Sequence, residues 1–391
     1  MTPSPRLRFY LTGRRTPVCR SDGLWQAPLP LKRSPRSEHT PARLDPEATY
    51  GAYFDAISDF LGWRDFQRLR EAIGSRRQVS PEQLDLSEIR VFLEKHGAFY
   101  HPARIETIAA GYGESFVLNV AVSSAGAAAI QREFALLAEL NRLQPDGYLP
   151  QVYSLASGGG PGRRRWPLFL GEWFENFSEC HLTRRPADGA PGILVWDARD
   201  GVFFLSEAQT RQFYRQVARI LTAYFDLSTT RQIFPWHHAA GDFVVQCQNE
   251  RVAVKLITVR QFLPILRSPH APTESLPETL FFFLANLSLQ TRLDRLEGVG
   301  DLVWSDDLAV AETLEGVLMG LKDKHPALSV HFIDYLNSFS IEEIGDFFQA
   351  VLKTVDSRAP EFSLISKHLG DHSRLMFHAV RKRAAAAAGT T

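Results

Sequence analysis

The pattern of apolar and polar positions divides this chain into stretches of different period. Residues 46–97 open with PEATYGAYFDAISDFLGW, where aromatic and aliphatic side chains recur at helical spacing. SPEQ (80–83) has the form of a helix capping box. DLSEIRVFLEKHG then predicts a further helix, started by Asp85 and stopped by Gly97. The period shortens to two in ARIETIAAGYGESFVLNVAVSSAG, which predicts two strands flanking AAGYGES. Phe116, Leu118, Val120 and Val122 share one face of the second strand, with Val117, Asn119 and Ala121 on the other.

GAAAIQREFALLAELNRL returns to helical spacing through Ile130, Phe134, Leu137 and Leu140. YLPQVYSLA and WPLFLGEWFENF predict two more strands, joined by SGGGPGRRR. Beyond RRPADGAPG, SEAQ (206–209) forms a capping-box pattern for a helix carrying Phe213, Val217, Ile220, Leu221 and Tyr224. DFVVQC and RVAVKLITV alternate on either side of QNE and predict a hairpin. From residue 277 onward the pattern is helical. LFFFLANLSL (280–289) is too short to span a bilayer and reads as a buried helix. The alanine-rich end RKRAAAAAGTT is expected to fray. The predicted organisation is an irregular basic arm (1–45), an N-terminal helical extension (46–97), a small sheet-containing region (98–180) and a mainly helical region with a central hairpin (181–391).

Composition sharpens this only in part. The 391 residues include 44 Lys+Arg and 44 Asp+Glu, so bulk charge gives no nucleic-acid signal and no pull toward a membrane. Cys19, Cys180 and Cys247 are widely spaced, which fits a reducing compartment and argues against a cysteine-ligated zinc. The N-terminal stretch is basic without a sustained apolar segment, so a cytoplasmic location is expected. In RLDRLEGVGD (292–301), Arg292, Asp294, Arg295 and Glu297 read as solvated or intrahelical pairs.

The densest chemistry lies in FPWHHAAGDFVV (234–245), with His237, His238 and Asp242 in a small-residue loop before a strand. Adjacent histidines in extended backbone face opposite sides, so one of them at most joins Asp242. A metallohydrolase would need further ligands from His181, His270 or the C-terminal histidines. Gly-x-Ser-x-Gly and Gly-x-Gly-x-x-Gly motifs are missing from the sequence.

Taken together, the order of these elements resembles the protein-kinase-like superfamily, in particular its aminoglycoside and choline phosphotransferase branch, over roughly residues 98–330. That resemblance implies an α+β, two-lobed fold with a small antiparallel sheet lobe and a mainly helical C-terminal lobe. It implies ATP and Mg2+ as cofactors, with an unknown acceptor or protein partner. Gly111 and Gly113 in AAGYGES would lie over the phosphates, Glu133 would be the helix glutamate, and Glu172 and Trp173 in GEWFE would belong to the hinge beside the adenine. Asp242 would be the magnesium ligand and His238 the base.

The sequence departs from the family pattern at three positions. Asn119 is the polar residue on the strand where a lysine is expected. The catalytic-loop aspartate is missing, and Thr258 stands where the second metal carboxylate belongs. Two readings follow: an ATP-dependent phosphotransferase with altered chemistry, or a catalytically inactive pseudokinase acting as a binding or scaffold module.

Overall fold

The computed structural model describes residues 4–30, 48–97, 99–109, 112–144, 146–159, 165–197, 200–265, 275–298 and 300–388. The chain is mixed α/β with largely antiparallel sheets. It forms two compact units, one of Met1–Leu143 with Pro150–Glu175 and one of Gln144–Leu149 with Asn176–Thr391.

In the first unit, β1 (Arg6–Leu11), α1 (Gly23–Gln26), α2 (Tyr50–Gly62) and α3 (Gln67–Arg77) precede β2 (Leu86–Leu93), β3 (His101–Ala109) and β4 (Tyr112–Val120). α4 (Ser124–Leu143), β5 (Val152–Gly158) and β6 (Trp166–Glu172) complete it. The strands form one sheet in the order β1-β2-β3-β4-β6-β5. The expected succession of strand, strand, helix, strand and strand is present from β3 to β6.

Three sequence expectations are corrected in this unit. Residues 86–93 are a strand, not a helix. Leu86, Ile89 and Leu93 satisfy helical spacing, but Ile89, Val91 and Leu93 satisfy strand spacing equally, and all four are buried. The β-branched pair Ile89 and Val91 settles the ambiguity in favour of the sheet. Residues 6–11, expected within an irregular arm, form β1, which runs parallel to β2 from Arg6 opposite Glu88 to Leu11 opposite Leu93. SPEQ forms a 3-10 turn at Pro81–Gln83 without a side-chain cap, because the Ser80 hydroxyl donates to the Glu82 carboxylate.

α2 starts where the Thr49 hydroxyl accepts from the Ala52 amide at 3.0 Å. It buries Tyr53, Phe54, Ile57, Phe60 and Leu61, and Phe54 meets Phe9 at 4.7 Å and Trp25 at 5.8 Å. The link to α3 is unusual, since Arg64, Asp65 and Phe66 hold φ of 47°, 57° and 62° in succession. Left-handed backbone costs a non-glycine residue ~1–2 kcal/mol. The hydrogen bonds from Arg70 Nε to the Asp65 carbonyl (3.0 Å) and from Arg68 Nη1 to the Phe60 carbonyl (2.8 Å) help to offset it.

The second unit begins with β7 (Ser178–Arg184), β8 (Pro191–Asp197), β9 (Gly201–Phe204) and α5 (Glu207–Ala223). β10 (Arg231–Ile233), β11 (Ala240–Gln248), β12 (Arg251–Leu256) and β13 (Phe262–Pro264) follow. Then come α6 (Leu276–Arg292), β14 (Leu293–Arg295), β15 (Leu302–Trp304), α7 (Leu308–Lys324), α8 (Pro326–Asn337), α9 (Ile341–Leu352) and α10 (Pro360–Ala388).

The expected hairpin is β11–β12, with Phe243 opposite Leu256 and Gln248 opposite Arg251. It is one side of a five-stranded sheet, β12-β11-β7-β8-β9, so residues 178–204 contribute three strands that the sequence pattern did not show. They are short, and their inward residues Cys180, Leu182, Ile193 and Val195 are too few to set a clear period. α10 continues through the alanine-rich stretch to Ala388, in keeping with alanine's helix propensity.

α5 carries the complete capping box expected at Ser206 and Gln209. It packs closely on α7, where a Cβ added to Gly316 would lie 2.2 Å from the Arg215 carbonyl oxygen and 2.6 Å from the Ala218 Cβ. Glu312 on α7, nearly buried, accepts from Arg211 Nη1 at 3.2 Å and from Arg215 Nε at 2.8 Å. Gly316→Ala is therefore expected to force the helices apart and cost about 1–3 kcal/mol in urea unfolding. Gly345→Ala, where nothing lies within 4 Å of the new Cβ, provides the control. It should be neutral or stabilising by up to about 1 kcal/mol.

Candidate functional site

The loop expected to carry the chemistry joins β10 to β11 within the second unit. α5 ends at Ala223, and Asp226 shapes the turn beyond it by accepting from the amides and hydroxyls of Ser228 and Thr229. The two hydroxyls lead in holding its carboxyl well below the usual range. Trp236 is buried edge-on to Phe243, with ring centroids 6.1 Å apart, which anchors the middle of the loop.

Asp242 sits at the root of the hairpin, where its carbonyl accepts from the Ile257 amide at 2.8 Å. The residue is 2% exposed. Oδ2 accepts from the His237 amide at 2.8 Å and from Arg260 Nη1 at 2.5 Å, while Oδ1 accepts from Arg260 Nη2 at 2.5 Å. The guanidinium thus forms the two-pronged pairing that planar arginine makes with carboxylates. A divalent cation at these oxygens would have to displace it, and no group of three His, Cys, Asp or Glu suited to a metal occurs among the described residues. The side chains at this loop do not fit a magnesium ion in the arrangement seen. Arg260 is the counter-ion of Asp242.

The two histidines diverge, as extended backbone requires. His237 is half exposed, with Nδ1 4.0 Å from Asp294 Oδ1. His238 is fully buried between Phe213 and Tyr214, at centroid distances of 6.1 and 5.7 Å. Its Nδ1 lies 3.2 Å from Asp294 Oδ2, but neither ring nitrogen makes a well-aligned hydrogen bond among the described residues. Burial drives the His238 pKa down, against the pull of Asp294. In this conformation, a base at His238 has no open path to a solvent-borne acceptor.

Asp294 is the site residue the sequence reading missed. Expected in a solvated or intrahelical pair, it is 1% exposed on β14 and accepts from the Ala239 amide at 2.8 Å and the Arg295 amide at 2.7 Å. It thereby holds the loop at Ala239, as Asp242 holds it at His237. Arg292 is likewise buried, with its guanidinium 4.8 Å from the Trp304 ring centroid and Nη2 2.6 Å from Asp307. The only sequence signal was the placing of these charges between Thr291, Leu293 and Leu296, where a solvated helix face would carry fewer apolar neighbours.

The other candidates lie in the first unit. Gly113 is on β4 opposite Ile108, and a Cβ there would approach the Thr107 carbonyl to 3.3 Å. Gly111 falls outside the described residues. Glu133 is 5% exposed on α4, and Asn119 pairs across the sheet with Phe169. Glu172 ends β6 opposite Phe116, and its carboxylate accepts from the Gln151 amide at 3.1 Å. Trp173 follows, 5.7 Å from the guanidinium of Arg104. The structure therefore brings His237, Asp242, Arg260 and Asp294 together around one loop, with His238 behind them. Gly113, Glu133, Glu172 and Trp173 belong to the other unit.

No family model matches the chain, and no curated protein matches it. Among solved structures, WaaP in complex with acyl carrier protein matches at 9% identity with a TM-score of 0.23, covering 60% of this chain and 83% of that one. At that score no residue is carried across. No described helix is long and apolar enough to cross a membrane.

Proposed function

We propose that this chain is a kinase-like module that works by binding a partner, and that it does not carry out magnesium-dependent phosphoryl transfer. The observation that carries this reading is the Asp242–Arg260 pair: the one carboxylate at the expected metal position already has a fixed organic cation across both oxygens. Phosphoryl transfer relies on metal ions to neutralise charge developing on the transferred group. A guanidinium locked to its own carboxylate does not supply an open coordination site. The buried position of His238 and the threonine at position 258 point the same way.

The competing reading is an ATP-dependent phosphotransferase with Asp242 as magnesium ligand and His238 as base. It needs Arg260 to leave Asp242 and His238 to become accessible. Thermal unfolding with millimolar ATP separates the two. A ligand at 100 times its dissociation constant adds about 2.7 kcal/mol. The binding-module reading expects the same Tm in ATP with excess Mg2+ as in ATP with EDTA. A magnesium-dependent rise, accompanied by loss of the γ-phosphate, would establish the phosphotransferase instead.

A further inference from the structure

The first unit contains a surface cleft of about 570 Å3 that none of the chemistry above uses. Its lining includes Asp59, Trp63, Arg68, Ser157, Gly159 and Arg165. The end of β5 approaches α2 so tightly that a Cβ on Gly158 would lie 2.0 Å from the Ala56 carbonyl oxygen. Beside it runs the left-handed link of Arg64, Asp65 and Phe66. This link follows Trp63, which stays 39% exposed despite its size.

The arginines here are organised differently from most others in the protein. The guanidiniums of Arg64 and Arg68 lie over the Trp63 ring, 4.5 and 4.1 Å from its centroid. Arg68 is tethered by Nη1 to the Phe60 carbonyl and Arg165 by Nη2 to the Ser157 carbonyl, each at 2.8 Å. Arg104, Arg215 and Arg260 are neutralised by carboxylates. Among the described residues, Arg64, Arg68 and Arg165 make no salt bridge, and Asp59 is the one acid in the lining.

A guanidinium held by a single carbonyl bond keeps further N–H donors for a ligand, and stacking on an aromatic ring fixes its plane in advance. Oxygen-rich anions match that planar fork. Two such cations line the cleft against the one carboxylate of Asp59, with Arg64 beside them on Trp63 and Glu71 near Arg68, which leaves a local excess of positive charge.

We propose that this cleft binds a phosphorylated ligand. The inference rests on the first unit alone and stands whether or not the second transfers phosphate. The ligand's source is either a free phosphorylated compound or a lipid headgroup, and the two are separable.

The test is calorimetric titration with inorganic tripolyphosphate at low salt, with co-sedimentation on phosphatidylcholine vesicles containing phosphatidic acid as a parallel arm. Binding to tripolyphosphate supports a soluble ligand, and binding to the vesicles alone supports the headgroup. In either arm, Arg68→Ala/Arg165→Ala is expected to weaken binding at least about tenfold. Arg358→Ala/Arg374→Ala removes the same charge from exposed positions elsewhere and should leave affinity within about twofold. Arg68→Gln/Arg165→Gln replaces the first variant if that one fails to fold. Equal losses in both double variants would reduce the effect to bulk charge and overturn the proposal. So would the lack of binding in both arms.

Discussion

Arg260→Ala should lower the unfolding free energy by about 3 kcal/mol, measured in urea at neutral pH. The size follows from the inequality of the two partners. Asp242 has a side chain only 3% exposed, whereas Arg260 is 32% exposed. Removing the arginine strands a buried carboxylate with one remaining bond, from the His237 amide. Removing the carboxylate releases a cation that can reach water. Asp242→Ala should therefore cost less than Arg260→Ala, and the double variant less than the sum of the two. Equal single costs with full additivity would mean the pair contributes nothing as a pair. Magnesium adds a second readout: if Arg260 substitutes for a metal, the Arg260→Ala protein alone should gain Tm on adding Mg2+.

Acid should destabilise the protein well before its carboxylates protonate. Burial drives His372 down to about 3, with the positive charge of Arg292 adding to the effect. Burial likewise drives His101 down to about 4, partly opposed by the hydrogen bond to the Pro30 carbonyl. Both folded values lie below the ordinary histidine value near 6.5. The folded state therefore binds fewer protons than the unfolded state in this window. Stability is fully present above about pH 6.5 and declines as pH falls toward the folded values.

Each histidine should cost about 2 kcal/mol by pH 5, at roughly 1.4 kcal/mol per pH unit. His372 packs against Trp304 and Phe348 and meets Ser288 Oγ at 3.0 Å, so His372→Gln keeps a polar partner while removing the titration. Its unfolding free energy should depend less steeply on pH between 6.5 and 5 than that of the parent, by close to one proton. An unchanged slope would show that His372 does not titrate on unfolding.

The sequence made the second unit's long helix and hairpin legible because both have strong local signals. Ser206 and Gln209 cap the helix, and Phe243, Val245, Val252 and Val254 alternate across a two-residue turn. It was misleading at residues 86–93, where one set of apolar positions satisfies two periods and only partners distant in the chain decide between them. At the candidate site, it singled out the loop that holds Asp242 and the two histidines. It could not reveal the partners of Asp242 and His238, because Arg260 and Asp294 reach the loop from segments whose local patterns describe only a strand exit and a helix end. Charge alternation in RLDRLEG looks the same whether the helix continues into solvent or breaks into a buried strand.

The parallel pairing of β1 with β2 also bears on how the chain folds. The hydrogen bond from the Thr12 hydroxyl to the Leu93 carbonyl spans 81 residues, with α1, α2 and α3 in between. Closing so long a loop carries an entropic cost before any contact repays it, whereas β2, β3 and β4 pair with sequence neighbours. β1 is thus placed to dock late, onto a sheet already formed. Until it does, β2 presents a row of unpaired amides and carbonyls, the kind of open edge through which one chain recruits another. The span between β1 and β2 therefore sets how long the nascent sheet remains exposed to self-association.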